Sequence, residues 1–138
     1  MTTKEYLQQA FRLNERINSK LAQIGTLNDL ATKCTGNMSG MPRNPSPNNY
    51  QMEDVVVKII SFEAEINRDI DRLVDLKVEM KHAIDQVDDI DCRLLLELRY
   101  LCFKTWEEIA VEMGWRTRHV YEVHAQALNL FKIPASAQ

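Results

Sequence analysis

Apolar residues recur at helical spacing along most of the chain, and the interruptions of that pattern mark its organisation. From Lys4 to about Lys33 there is no proline and one glycine, Gly25. With Leu7 as position a of a heptad, the a sites are Leu7, Asn14, Leu21 and Asn28, and the d sites are Ala10, Ile17, Ile24 and Ala31. Phe11, Leu13 and Leu27 widen this face, so the pattern predicts one long amphipathic helix. A second pattern runs from about Gln51 to Val87 without glycine or proline. Its positions 52, 55, 59, 62, 66, 69, 73, 76, 80, 83 and 87 alternate three-four spacings and are apolar except for Asp69. Between the two lies the breaker-rich stretch Thr35–Asn49, with three of the four prolines and two of the four glycines, which reads as a loop.

A helix over 51–87 spans about 55 Å at 1.5 Å per residue. A chain of 16.0 kDa cannot wrap it, so it must lie against another long element. The first helix is the natural partner, folded back as an antiparallel, coiled-coil-like hairpin. In that register the Asn14 turn comes roughly level with Asp69, and polar seam residues of this kind set register at a cost in stability. Apolar residues beside the seam, Val56, Ile60, Ile70, Val74 and Ile84, offer an association surface. Glu63, Glu65, Asp69, Asp71 and Asp75 are spread round the helix among Arg68, Arg72 and Lys77, the pattern of a salt-bridged face and not of a metal site. Asp85–Asp91 reads as a helix end and capped restart, with Asp89 or Asp91 as N-cap. The expected fold is all-α: a hairpin over 1–89 with its loop at 35–50, serving oligomerisation, a second unit over 90–133, and a frayed tail at 134–138.

Composition agrees with long helices, since only four glycines and four prolines occur. At 45% hydrophobic residues and net charge −3 the chain can bury a core and is neither a polybasic nor a strongly acidic tail. Residues 1–91 carry 11 basic and 15 acidic side chains, and residues 92–138 carry 6 and 5, so the sign changes near the boundary. Cys34, Cys92 and Cys102 are odd in number and far apart, which excludes a disulfide framework or zinc motif and suits a reducing cytoplasm. No apolar run approaches a membrane span or a signal peptide. No nucleophile–base pair, phosphate loop or metal constellation stands out, so neither an enzyme nor a cofactor is expected.

The last 47 residues change character. Cys92–Phe103 reads as a short apolar helix. Thr105-Trp106-Glu107-Glu108 is a capping box that opens a helix from Trp106 to Met113. Gly114 supplies a left-handed turn, and a further helix runs from Arg116 or Thr117 to about Phe131, stopped by Lys132-Ile133-Pro134. Counted from Trp106, the small residue falls at the fifth place, Ala110, and glycine at the ninth, Gly114. Apolar residues fall at the fourth, eighth, tenth, fifteenth and eighteenth, which are Ile109, Met113, Trp115, Val120 and Val123. Two helices crossing steeply need a small side chain at the contact, a glycine-like turn and an apolar wedge, which is the pattern of a helix-turn-helix. The plain alternative is a helical hairpin used only for protein contact.

With Val120, Val123, Ala127 and Phe131 facing inward, the second helix presents Thr117, Arg118, Tyr121, Glu122 and Ala125 outward. Arg118 is the candidate reader of guanine, and Glu122 of cytosine. Arg116, Lys104 and Thr105 are placed for phosphate, and His119 for phosphate or plain surface. Tyr100 and Trp106 read as core. His119 and His124 do not share a face and make a poor metal pair.

Leu95-Leu96-Glu97-Leu98-Arg99-Tyr100, Thr105–Gly114 and Arg118-His119-Val120-Tyr121 together resemble the C-terminal promoter-recognition domain, region four, of bacterial sigma factors. The chain as a whole resembles a family of small phage and prophage regulators from Gram-positive bacteria grouped with sigma-like regulators of late genes. The resemblance implies a transcriptional regulator bound to double-stranded DNA in the bacterial cytoplasm, working as a dimer or higher oligomer. The alternative it leaves is a non-enzymatic interaction protein that docks on RNA polymerase or another protein. One departure stands out: Arg116 occupies the place that commonly holds a serine-like N-cap.

Overall fold

The computed structural model describes residues 1–36 and 45–137. The fold is all-α. Its helices are α1 (Thr3–Gly36), α2 (Pro45–Asp85), α3 (Ile90–Leu96), α4 (Trp106–Met113) and α5 (Thr117–Leu130). A π-helical segment over Glu97–Leu101 extends α3, and a 3-10 turn spans Ala135–Ala137. No strand occurs among the described residues, and no described helix is long and apolar enough to cross a membrane. The loop expected over 35–50 falls, for residues 37–44, outside the described residues. Both long helices run further into that region than the pattern predicted. α2 begins at Pro45, where a missing N–H costs nothing because the first turn has no acceptor for it.

The chain divides into two compact units: Met1–Asn14 with Arg72–Gln138, and Glu15–Asp71. The first gathers the start of α1, the end of α2 and all of α3 to α5 around one core. Tyr6, Leu7, Ala10, Met80, Ile84, Leu95, Leu96, Ile109, Val120 and Ala127 are fully or almost fully buried there. Ile84, expected to be spare surface, lies in this core at 0% exposure. α3 is capped by Asp89, whose carboxylate accepts from the Cys92 N–H at 3.1 Å. The C-terminal turn is tied back by Ser136, which donates to Glu79 at 2.6 Å.

The end of the α3 segment departs from the plain helix predicted. Leu98 and Tyr100 stand two apart, on opposite sides of the segment, and both are buried. A π turn is closed there by the Cys102 N–H on the Glu97 carbonyl at 3.1 Å, and the segment is covered on both sides. Phe103 follows at φ 59, a left-handed conformation uncommon for an aromatic residue. Its ring meets Phe11 edge-on at 5.8 Å, with the Lys77 ammonium 4.6 Å from its centroid.

In the second unit α1 and α2 run antiparallel with a thin seam. Among its described residues only Ile17, Ile66 and Asp69 are buried. The α2 seam follows the predicted three-four positions, but on α1 Leu21 is 51% exposed and Asn28 is exposed, while Lys20 and Leu27 turn inward. Lys20 donates to Asp69 at 2.7 Å and lies 3.4 Å from Glu65. A lysine of α1 therefore meets the buried acid of α2.

Candidate nucleic-acid interface

Three elements of the first unit build the candidate site: the loop after the π segment, α4 and α5. Thr105 caps α4 by accepting from the Glu108 N–H at 3.2 Å, and Glu108 accepts in return from the Thr105 N–H at 3.4 Å. The helix stops because Gly114 takes φ 69 and ψ 28. The Trp115 N–H then reaches the Ala110 carbonyl at 2.9 Å, a Schellman-type closure. A Cβ on Gly114 would meet nothing within 4 Å, so glycine is required there by the backbone angle alone.

α5 leaves this turn with its inner face, Val120, Val123 and Ala127, closed on α3 and α4, and Phe131 buried at its end. Ile109 and Ala110 are buried behind it, and Trp106, Met113 and Trp115 are half-buried against the same core. Arg116 is the N-cap of α5 in extended conformation and makes no side-chain cap, so the first N–H groups of α5 gain no partner from it.

The outer face of α5 carries Thr117, Arg118, His119, Tyr121 and Glu122, all exposed. The Arg118 side chain is 92% exposed and its Nε lies 3.5 Å from Glu122. His119 Nδ1 stands 3.8 Å from the other Glu122 oxygen, and its ring packs edge-on against Trp115 at 4.7 Å. Glu122 thus sits between the two basic side chains. Tyr121 leans on Trp106, with ring centroids 5.4 Å apart.

Lys104 and Thr105 lie just before α4, and each has a partner there. The Lys104 ammonium is paired with Glu112 of α4, and that hydrogen bond is the main cause raising its pKa. The Thr105 hydroxyl is committed to the cap. α4 turns Glu107, Glu108 and Glu112 outward around Val111, which is 84% exposed. Among the described residues no three His, Cys, Asp or Glu side chains gather as a metal site.

Sequence reasoning missed the polar cluster behind the turn. Tyr100 Oη and His124 Nε2 are 2.6 Å apart, and both residues are buried. Burial, reinforced by the Lys4 and Arg99 cations, lowers the His124 pKa to about 4. Burial raises Tyr100 to about 12. Both groups are therefore neutral near pH 7 and share one hydrogen bond. The Arg99 guanidinium lies 4.2 Å from the Trp106 ring centroid and donates to the Lys104 carbonyl at 2.9 Å, clamping the loop to α4. A signal for His124 was present, since it lies four residues after Val120 and three before Ala127, on the inward stripe of α5.

The model of a family described as a protein of unknown function (DUF1492) matches residues 46–131, from the first turn of α2 to the end of α5, and the chain belongs to that family. No curated protein and no solved structure matches the chain.

Proposed function

Starting from a family that assigns no activity, we propose that the protein is a sequence-specific DNA-binding regulator of phage or prophage late genes, acting as a dimer or higher oligomer. One observation carries the reading: α5 follows a left-handed glycine turn, buries Val120, Val123 and Ala127, and offers Arg116, Thr117, Arg118, Tyr121 and Glu122 along its open face. That is how a recognition helix presents side chains to a major groove. In this reading Arg118 leaves Glu122 to bind guanine, and Glu122, freed of it, accepts from cytosine. Arg116 contacts phosphate at the start of the helix. The resemblance to sigma region four supports a promoter-proximal site. No catalytic step is assigned.

Few cations reach the face, so a single copy binds weakly, and two or more copies give useful affinity. Gel-shift titration of the full chain on phage DNA, at low and high salt, tests the reading. Arg118→Ala is expected to cost about 1–3 kcal/mol on the specific site and little on random DNA. Equal loss on both, or none, would refute the assigned face.

A second reading has its own support. The exposed side of α4 is acidic around a bare Val111, and Lys104 is held by Glu112. Such a surface repels phosphate and suits a protein partner, with RNA polymerase the natural one for a sigma-like fold. Wild-type DNA binding that is abolished in parallel by Val111→Glu would count against this division of faces.

A further inference from the structure

On α2, one step round from the seam, Val56, Ile60, Ile70 and Val74 are 44%, 60%, 42% and 55% exposed. They fall in one row at alternating three-four spacing, with Glu63 and Asn67 between them and Glu53 and Lys77 at its ends. Positions so spaced share one helix face. The apolar positions read the same from either end about residue 65, Val56 mirroring Val74 and Ile60 mirroring Ile70, while Glu63 mirrors Asn67 and Glu53 mirrors Lys77. We infer that this row is the contact between two copies of the chain, whose α2 helices pair antiparallel about a twofold axis at residue 65.

Three observations support a second copy as the occupant. An isologous contact needs a self-complementary surface, and the mirrored row is one, joining Glu53 to Lys77 of the other copy and Glu63 to the amide of Asn67. Lys77 Nζ also rides over the Phe103 ring at 4.6 Å. Charge selects the direction, because parallel pairing would set Glu53 on Glu53, Glu63 on Glu63 and Lys77 on Lys77. Burial supplies the need. The two-helix unit buries only Ile17, Ile66 and Asp69 among its described residues and leaves Val57, Leu21 and Leu30 exposed besides the row. Two helices cannot enclose an apolar interior, whereas four can. The row from 53 to 77 is about 36 Å of helix, a contact on the scale of a standard interface of about 800 Å² per partner.

Sedimentation equilibrium of the full chain, without DNA, tests the pairing, so its failure is distinct from failure of the DNA reading. Wild type is expected to be a dimer at micromolar concentration. Ile60→Glu and Ile70→Glu are each expected to raise the dimer dissociation constant about 100-fold or more, since each substitution enters the contact twice. Circular dichroism of the variants under the same conditions is expected to keep most of the helical signal. Direction is read by oxidation in a background carrying Cys34→Ser, Cys92→Ala and Cys102→Ser. Copies with Val56→Cys mixed with copies with Val74→Cys are expected to cross-link to each other and not to themselves. A monomeric wild type, an unchanged dimer in both glutamate variants, or self-cross-linking of Val56→Cys would overturn the inference.

Discussion

The two compact units are made from the same two long helices, yet they are held in different ways. Where the start of α1 meets the end of α2, three further helices close over the apolar stripes and side chains such as Leu7, Ile84, Leu95 and Ile109 reach 0% exposure. Where α1 and α2 have only each other, the seam is mostly half-covered, and it holds the Lys20–Asp69 ion pair. Helical periodicity runs through both. What differs is the number of layers available to cover a stripe, and that number decides whether an apolar position becomes core or remains a surface seeking a partner.

The largest expected effect sharpens this contrast. Leu95→Ala should cost about 2–5 kcal/mol in urea unfolding, because the site is fully enclosed. Leu21→Ala, at a nominal seam position 51% exposed, should cost within about 0.5 kcal/mol. Comparable losses at both sites would mean that the thin unit is as well packed as the dense one. Next comes the ion pair. Lys20→Met leaves the buried Asp69 carboxylate without its ammonium and should cost about 2–3 kcal/mol, whereas Lys20→Met with Asp69→Leu should recover most of it. A double variant as unstable as the single one would show that the charges, and not apolar filling, hold that level of the seam.

Smaller effects probe the dense unit. Gly114→Val should cost about 1–3 kcal/mol through its φ of 69, and Gly114→Asn distinctly less, since no neighbouring atom obstructs a side chain there. Thermal melts of both variants check this, and a harmless valine would remove the turn from the helix-turn-helix. The smallest concerns pH. His124 titrates near 4 in the fold against an ordinary 6.5, so the unfolded chain takes up its proton first as pH falls. Its contribution to stability is full above about 6.5 and is lost progressively from there towards about 4. Unfolding midpoints measured across that window should slope less for Tyr100→Phe with His124→Leu than for wild type. An unchanged slope would assign the acid sensitivity to other groups.

Much of this was legible in the sequence because it is local. The capping box at Thr105 and Glu108, the left-handed Gly114, the N-cap Asp89 and the inward stripe of α5 each depend on residues within a few positions of one another. The three-four seam of α2 was equally plain, since one uninterrupted helix carries it. Other features depend on residues far apart in the chain. Lys20 meets Asp69 across 49 positions, and the side of α1 that turns inward is set by what α2 presents, so the heptad count misplaced Leu21 and Asn28. Tyr100 meets His124 across 24 positions, and Ile84 is buried in a core that residues of α3 to α5 complete. Lys104, free by its sequence context, is claimed by Glu112 one helix further on. Periodicity and capping act through the backbone of a single element and so are written in the sequence directly. Which stripe is covered, and which charge finds a partner, depends on the placement of other elements, and only the tertiary structure decided it.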